Sequence, residues 1–76
     1  MKKKGRELKA VLQERVNILK RKGYRGFHLS NELGKLKDTV EVGARSKTGV
    51  MLIAIGDTLE EAYENLVQRI DTTLDS

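Results

Sequence analysis

The chain has no cysteine, no proline and no tryptophan, a single histidine, and only one phenylalanine and two tyrosines. Each shortage excludes something. Without cysteine there are no disulfides or thiolate metal sites, and one histidine is too little for a zinc cluster, so a 76-residue domain lacks its usual staples. Oligomerisation is the staple that remains, and a homodimer is expected. Catalysis is poorly provided for, since no thiol nucleophile exists and only His28 titrates near neutrality. The chain therefore reads as non-enzymatic, with no cofactor and no metal. The longest apolar run, Val50 to Ile55, falls far short of the roughly 20 residues a membrane helix needs. The charged Gly5-Arg6-Glu7 after Met1-Lys2-Lys3-Lys4 is unlike the apolar segment of a signal peptide, so a soluble, cytoplasmic protein is expected.

Charge is abundant but unevenly divided. Residues 1–50 hold fourteen of the fifteen Lys and Arg against five acids, a net +9, whereas residues 51–76 hold only Arg69 against six acids, a net −5. Such a split suggests one surface that attracts polyanions and one that repels them.

The spacing predicts a helix over 5–22. Leu8, Val11, Leu12, Val16, Ile18 and Leu19 fall within an arc of roughly 160°, with Arg6, Lys9, Gln13, Asn17, Lys20 and Arg21 on the other side. Gly23 is placed as a C′ glycine, and Lys20, Arg21 and Lys22 suit the negative end of the helix dipole. Residues 1–4 are expected to form a disordered basic terminus. Arg15 interrupts the apolar arc and has two readings. Either its stem lies along the core with the guanidinium at the edge, or it enters a buried ion pair with an acid of the last helix or of a second subunit.

Tyr24 to Ser30 alternates as a short strand would, and Asn31 to Leu36 reads as a loop around Gly34. Asp38 to Ala44 alternates cleanly, Val50 to Ile55 is apolar on both faces, and Arg45 to Gly49 supplies a hairpin turn between them. In the last helix, Asp57 with Glu60 and Thr58 with Glu61 offer two overlapping capping boxes. Leu59, Ala62, Tyr63, Leu66, Val67, Ile70 and Leu74 then form its apolar arc, and acids line the opposite side. The expectation is one α+β domain over 5–76 in the order α-(β)-β-β-α, a small antiparallel sheet of two to three strands with two helices. If both helices share one side of the sheet, either Val50, Leu52 and Ala54 or Met51, Ile53 and Ile55 face water. That apolar patch needs a partner, most simply a second copy; the interface is placed on Arg15, Met51, Ile53 and Ile55.

Gly43-Ala44-Arg45-Ser46-Lys47-Thr48 shares the end of a phosphate-binding P-loop. However, Ser46 stands where the second glycine must let the backbone wrap the phosphates, and a strand follows instead of a helix. Nucleotide hydrolysis is set aside. Lys20-Arg21-Lys22-Gly23-Tyr24-Arg25-Gly26-Phe27-His28 interleaves cations and rings, the mixture that holds phosphates and stacks bases. Its plainer reading is a basic helix end followed by two core aromatics. Lys2, Lys3, Lys4, Arg6 and Lys9 form either a solvated terminus or a grip on a nucleic-acid backbone.

Ile55 to Asn65 resembles the last strand and helix of the HicB antitoxin family, where a Gly-Asp-Thr-x-Glu-Glu-Ala segment opens the helix. The element order looks more like the double-stranded-RNA-binding fold of HicA toxins, with Gly5-Arg6-Glu7-Leu8 and Gly26-Phe27-His28 similar to the opening helix and histidine strand. That likeness implies His28 as the residue for RNA cleavage. Double-stranded-RNA-binding domains hold phosphates with lysines at the start of the last helix, where this chain has Asp57, Glu60 and Glu61.

Together these readings point to a small bacterial, phage or plasmid binding protein. It is expected to touch nucleic acid through Lys9, Lys20, Arg21, Tyr24, Arg25, Arg45 and Lys47. The alternative is a protein-binding regulator or inhibitor acting through an exposed sheet face, and a HicA-like ribonuclease stands third.

Overall fold

Segments whose apolar residues recur every 3.6 positions become helices here, and those that alternate become strands. The computed structural model describes residues 2–30, 34–36 and 38–76, with side chains over 9–30 and 38–76. Its elements are α1 (Lys2–Lys22), β1 (Phe27–Leu29), β2 (Gly34–Leu36), β3 (Thr39–Ser46), β4 (Met51–Gly56) and α2 (Leu59–Asp75). β1 and β2 both pair antiparallel with β3, β1 through Phe27↔Ser46 and β2 through Gly34↔Glu41, while β4 pairs with β3 from Val40↔Gly56 to Arg45↔Met51. Since β4 takes the other side of β3, β1 and β2 are two segments of one edge. The result is a three-strand antiparallel sheet in the order α-β-β-β-α, the α+β class expected.

Several boundaries differ from the pattern, for physical reasons. α1 starts at Lys2, so Lys2–Lys4, expected as a disordered terminus, are helical. The strand expected from Tyr24 is delayed to Phe27 because Tyr24–Phe27 closes a two-residue turn. The Tyr24 N–H donates to the Phe27 carbonyl at 2.8 Å and the Phe27 N–H to the Tyr24 carbonyl at 2.9 Å. Both central residues have positive φ, 49° at Arg25 and 89° at Gly26, as a type I′ turn requires. Gly34–Leu36, expected as loop, pairs as strand β2; Asn31–Leu33 lie outside the described residues. β3 runs on to Ser46, which leaves Lys47, Thr48 and Gly49 as a three-residue hairpin loop, with Gly49 at φ 94°.

Gly23 ends α1 as expected: its φ is 98° and its N–H reaches the carbonyls of Ile18 and Leu19 at 3.1 and 3.2 Å. Of the two capping boxes, the helix uses Thr58 with Glu61. The Thr58 hydroxyl accepts the Glu61 N–H at 3.1 Å, and Glu61 Oε1 accepts the Asp57 N–H at 2.7 Å.

Both helices cover one face of the sheet. Val16 and Leu19 of α1, and Ala62, Leu66, Val67 and Ile70 of α2, close over Phe27, Val42, Ala44 and Ala54, all buried. α2 lies along β3 and β4, whereas α1 rests on α2 and on β1. On the uncovered face, the outward positions of β4 leave Ile53 44% and Ile55 50% exposed. The free edge of β4 is met by α2: Asn65 Nδ2 donates to the Ile55 carbonyl at 2.7 Å and Arg69 Nε to the Ile53 carbonyl at 2.9 Å.

The passage from β4 into α2 leaves no room for a side chain at Gly56. A Cβ there would stand 2.5 Å from the Ala62 backbone nitrogen. Gly56→Ala is therefore expected to cost about 2–3 kcal/mol, read as a lower urea midpoint with unchanged slope. Gly49→Ala meets no atom within 4 Å, so its cost is confined to the positive φ and is expected near 1 kcal/mol.

Candidate nucleic-acid interface

The basic helix and the acidic helix face each other within one chain. Lys9 Nζ stands 3.7 Å from Glu64 Oε2, Arg15 Nη1 is 2.8 Å from Asp71 Oδ2, and Lys20 Nζ is 3.8 Å from Glu60 Oε1. Arg25 reaches across from its turn, Nη1 to Asp71 Oδ1 at 2.9 Å and Nη2 to Asp75 Oδ1 at 2.9 Å. By periodicity Glu60, Glu64 and Asp71 share one flank of α2, whereas on α1 Lys9 and Lys20 lie on one edge of the apolar stripe and Arg15 on the other.

These contacts are unequal. The Lys9–Glu64 and Lys20–Glu60 pairs are long, the Lys9 side chain is 72% exposed, and Glu60 Oε2 has no hydrogen-bond partner among the described residues. Glu64 itself is only 13% exposed, but a single long contact to an exposed lysine contributes under about 1 kcal/mol. Lys20 Nζ also sits 5.0 Å from the centre of the Tyr63 ring, a modest cation–π contact. Asp71 differs in its bonding rather than in its burial, its side chain being 18% exposed against 13% for Glu64. It accepts from Arg15, from Arg25 and, at 2.8 Å, from the Tyr24 hydroxyl. Burial first, and then the bond to Asp71, raise the Tyr24 phenol above its ordinary value of 10.0. The bond from Arg25 lowers the Asp75 carboxyl below its ordinary value, and its two acids raise the Arg25 guanidinium.

Of the residues expected at a nucleic-acid surface, Lys9, Lys20, Tyr24 and Arg25 thus have intrachain partners. So has Arg15, expected at a subunit interface: it pairs with an acid of the last helix, but its side chain is 43% exposed, so the guanidinium stands at the edge and the pair is not a buried one. Arg21, Lys22, Arg45 and Lys47 have no ion-pair or hydrogen-bond partner among the described residues. They gather at one end of the molecule. Lys22 closes α1; the next residue, Gly23, approaches the His28 ring so closely that a Cβ would lie 2.6 Å from it; and His28 pairs across strands with Arg45. Lys47 begins the adjacent hairpin loop. Phe27, Val50 and Leu74, with Lys47 and the seam residue Arg25, are among the residues that line a cleft of about 380 Å³ at the same end.

Sequence reasoning passed over Asn65 and Arg69, whose roles depend on backbone carbonyls and carry no spacing signal. Met51, Ile53 and Ile55 lie together on the uncovered face of the sheet. Among the described residues no group of three His, Asp or Glu is placed to hold a metal ion, and no helix is long and apolar enough to cross a membrane. Compared with known proteins, the chain gives no significant match to any family model, curated protein or solved structure.

Two outcomes check the seam. Asp71→Ala is expected to cost about 2–3 kcal/mol in urea unfolding, since it strips Arg15, Tyr24 and Arg25 of an acceptor, while Glu64→Ala, which loses one long contact, costs about 1 kcal/mol or less. The pH profile of stability has two limbs. Asp75, lowered in the fold, contributes above the ordinary carboxylate range and loses that contribution as pH falls through it; Tyr24, raised in the fold, contributes below pH 10 and loses it as pH rises beyond. Tyr24→Phe should remove the alkaline limb and leave the acid limb in place, measured as Tm against pH.

Proposed function

We propose that the chain is a small, non-enzymatic binding protein that associates with nucleic acid through its basic end. The observation that carries this reading is the balance of the helix seam. Four cations, Lys9, Arg15, Lys20 and Arg25, meet four acids, Glu60, Glu64, Asp71 and Asp75. The formal net charge of +4 therefore resides outside the seam, and Arg21, Lys22, Arg45 and Lys47 stand at one end without acidic partners among the described residues. Cations held apart from acids neutralise phosphates and release counterions, which favours binding with little base readout. Lys9 and Lys20 are loosely held and add to this surface when a polyanion competes with Glu64 and Glu60. Tyr24 and Arg25 stay with the seam in this reading.

The HicA-like alternative would use His28 as an RNA-cleaving residue. His28 has Arg45 as its strand neighbour and no acidic or basic hydrogen-bond partner among the described residues, which supports binding over cleavage. A regulator that docks another protein draws support from the exposed Ile53 and Ile55.

Titration of duplex and single-stranded DNA and RNA at increasing salt tests the proposal. Affinity is expected to fall with a log–log slope of about −3 or steeper for the unpaired cations, and Lys47→Ala should flatten it by about 1. Glu60→Gln with Glu64→Gln should tighten binding by freeing two lysines. Binding that stays undetectable at low ionic strength overturns the reading.

A further inference from the structure

The uncovered face of the sheet is complementary to itself. Along β3 the outward positions read Glu41, Gly43, Arg45, and their register partners on β4 are Ile55, Ile53 and Met51. About the Gly43–Ile53 row, charge reverses sign while apolar character is the same on both sides. A surface with that symmetry has a preferred partner in a second copy of itself.

Two ways of laying two such faces together by a two-fold axis can be compared. With the axis parallel to the strands, Glu41 falls on Glu41 and Arg45 on Arg45, so like charges meet as the sheets close. With the axis perpendicular to the strands and crossing the Gly43–Ile53 row, Glu41 of each copy meets Arg45 of the other. Ile53 then meets Ile53, and Ile55 meets Met51. Only the second arrangement removes the apolar side chains from water and pairs both charges, neither of which has an ion-pair partner among the described residues. Gly43, at the centre of this face, has no side chain of its own, and Ile53 of the same chain leans over it, a Cβ there standing 3.7 Å from Ile53 Cγ1 and 3.4 Å from Ser30 Oγ.

We propose that the chain forms a two-fold dimer through this face, with the β3 strands of the two copies antiparallel across the interface and a reciprocal Glu41–Arg45 pair on either side of an Ile53 centre. The dimer shares one residue with the nucleic-acid reading. It engages Arg45, while Arg21, Lys22 and Lys47 lie outside the outward positions of β3 and β4 and remain for phosphate contact.

A charge-swap cycle on the full chain, read by sedimentation equilibrium, tests the arrangement. The wild type is expected at twice its 8.6 kDa chain mass. Glu41→Arg and Arg45→Glu alone should each weaken association by roughly tenfold or more, and the double exchange should return it to within a few-fold of wild type. Ile53→Glu should give a folded monomer, with Ile53→Thr as a milder second variant and circular dichroism as the check on folding. A wild type that remains monomeric at every concentration overturns the dimer. A dimer indifferent to both Ile53 variants places the interface elsewhere and overturns it equally. A double exchange no tighter than the single ones overturns the antiparallel register.

Discussion

One carboxylate, that of Asp71, ties the last helix to the first helix and to the turn that follows it. It accepts from Arg15 on α1, from Tyr24 just beyond the end of that helix, and from Arg25 in the turn that starts the sheet. α1 depends on this more than α2 does. It contributes Val16 and Leu19 to the fully buried core and touches the sheet chiefly at β1, whereas α2 contributes four buried residues and lies along two strands. A helix with so little buried apolar surface gains its orientation from directional bonds, and a largely buried acceptor shared by two guanidinium groups and a phenol supplies them. Arg25 shows the cost of the arrangement. A non-glycine residue at φ 49° is strained, and its turn is held where the side chain grips both Asp71 and Asp75.

This changes the meaning of the charge split. The +9 and −5 halves of the sequence lie together in space, and most of the acidic half is neutralised by the basic half of the same molecule. What remains for the surroundings is the surplus, and its location matters more than its size. Arg21, Lys22, Arg45 and Lys47 come from three elements that the sheet register and the Gly23–His28 approach bring to one end. That none of the four has an ion-pair partner among the described residues bears on the nucleic-acid reading more than the composition does.

The legible parts were those governed by periodicity or by single strong signals. The amphipathic arcs locate both helices, Gly23 and the Thr58–Glu61 pair mark their termini, and clean alternation finds β3. The uncovered face of β4 was also legible as one of two options, since a strand apolar on both sides cannot be covered by helices on one side alone. Other features depended on geometry the pattern does not carry. β2 is three residues long and begins with glycine, so it has no periodicity to display. Arg25 at positive φ gives no compositional cue, because glycine and asparagine are the usual residues there. The partner of Arg15 required knowing how the two helices cross, and alternation cannot supply that.

The contacts of Asn65 and Arg69 with the edge of β4 bear on how copies of this chain meet. A strand joining that edge needs the carbonyls of Ile53 and Ile55 as acceptors, and both already receive donors from α2. An incoming strand must displace two side chains before it gains its first bonds. Head-to-tail edge addition, which continues without limit, is thereby made costlier, as is a closed pairing of two β4 edges, and closure of one flat face on another, which ends at two, is left as the cheaper route. Two polar residues on the flank of a helix thus favour finite assembly over open-ended growth.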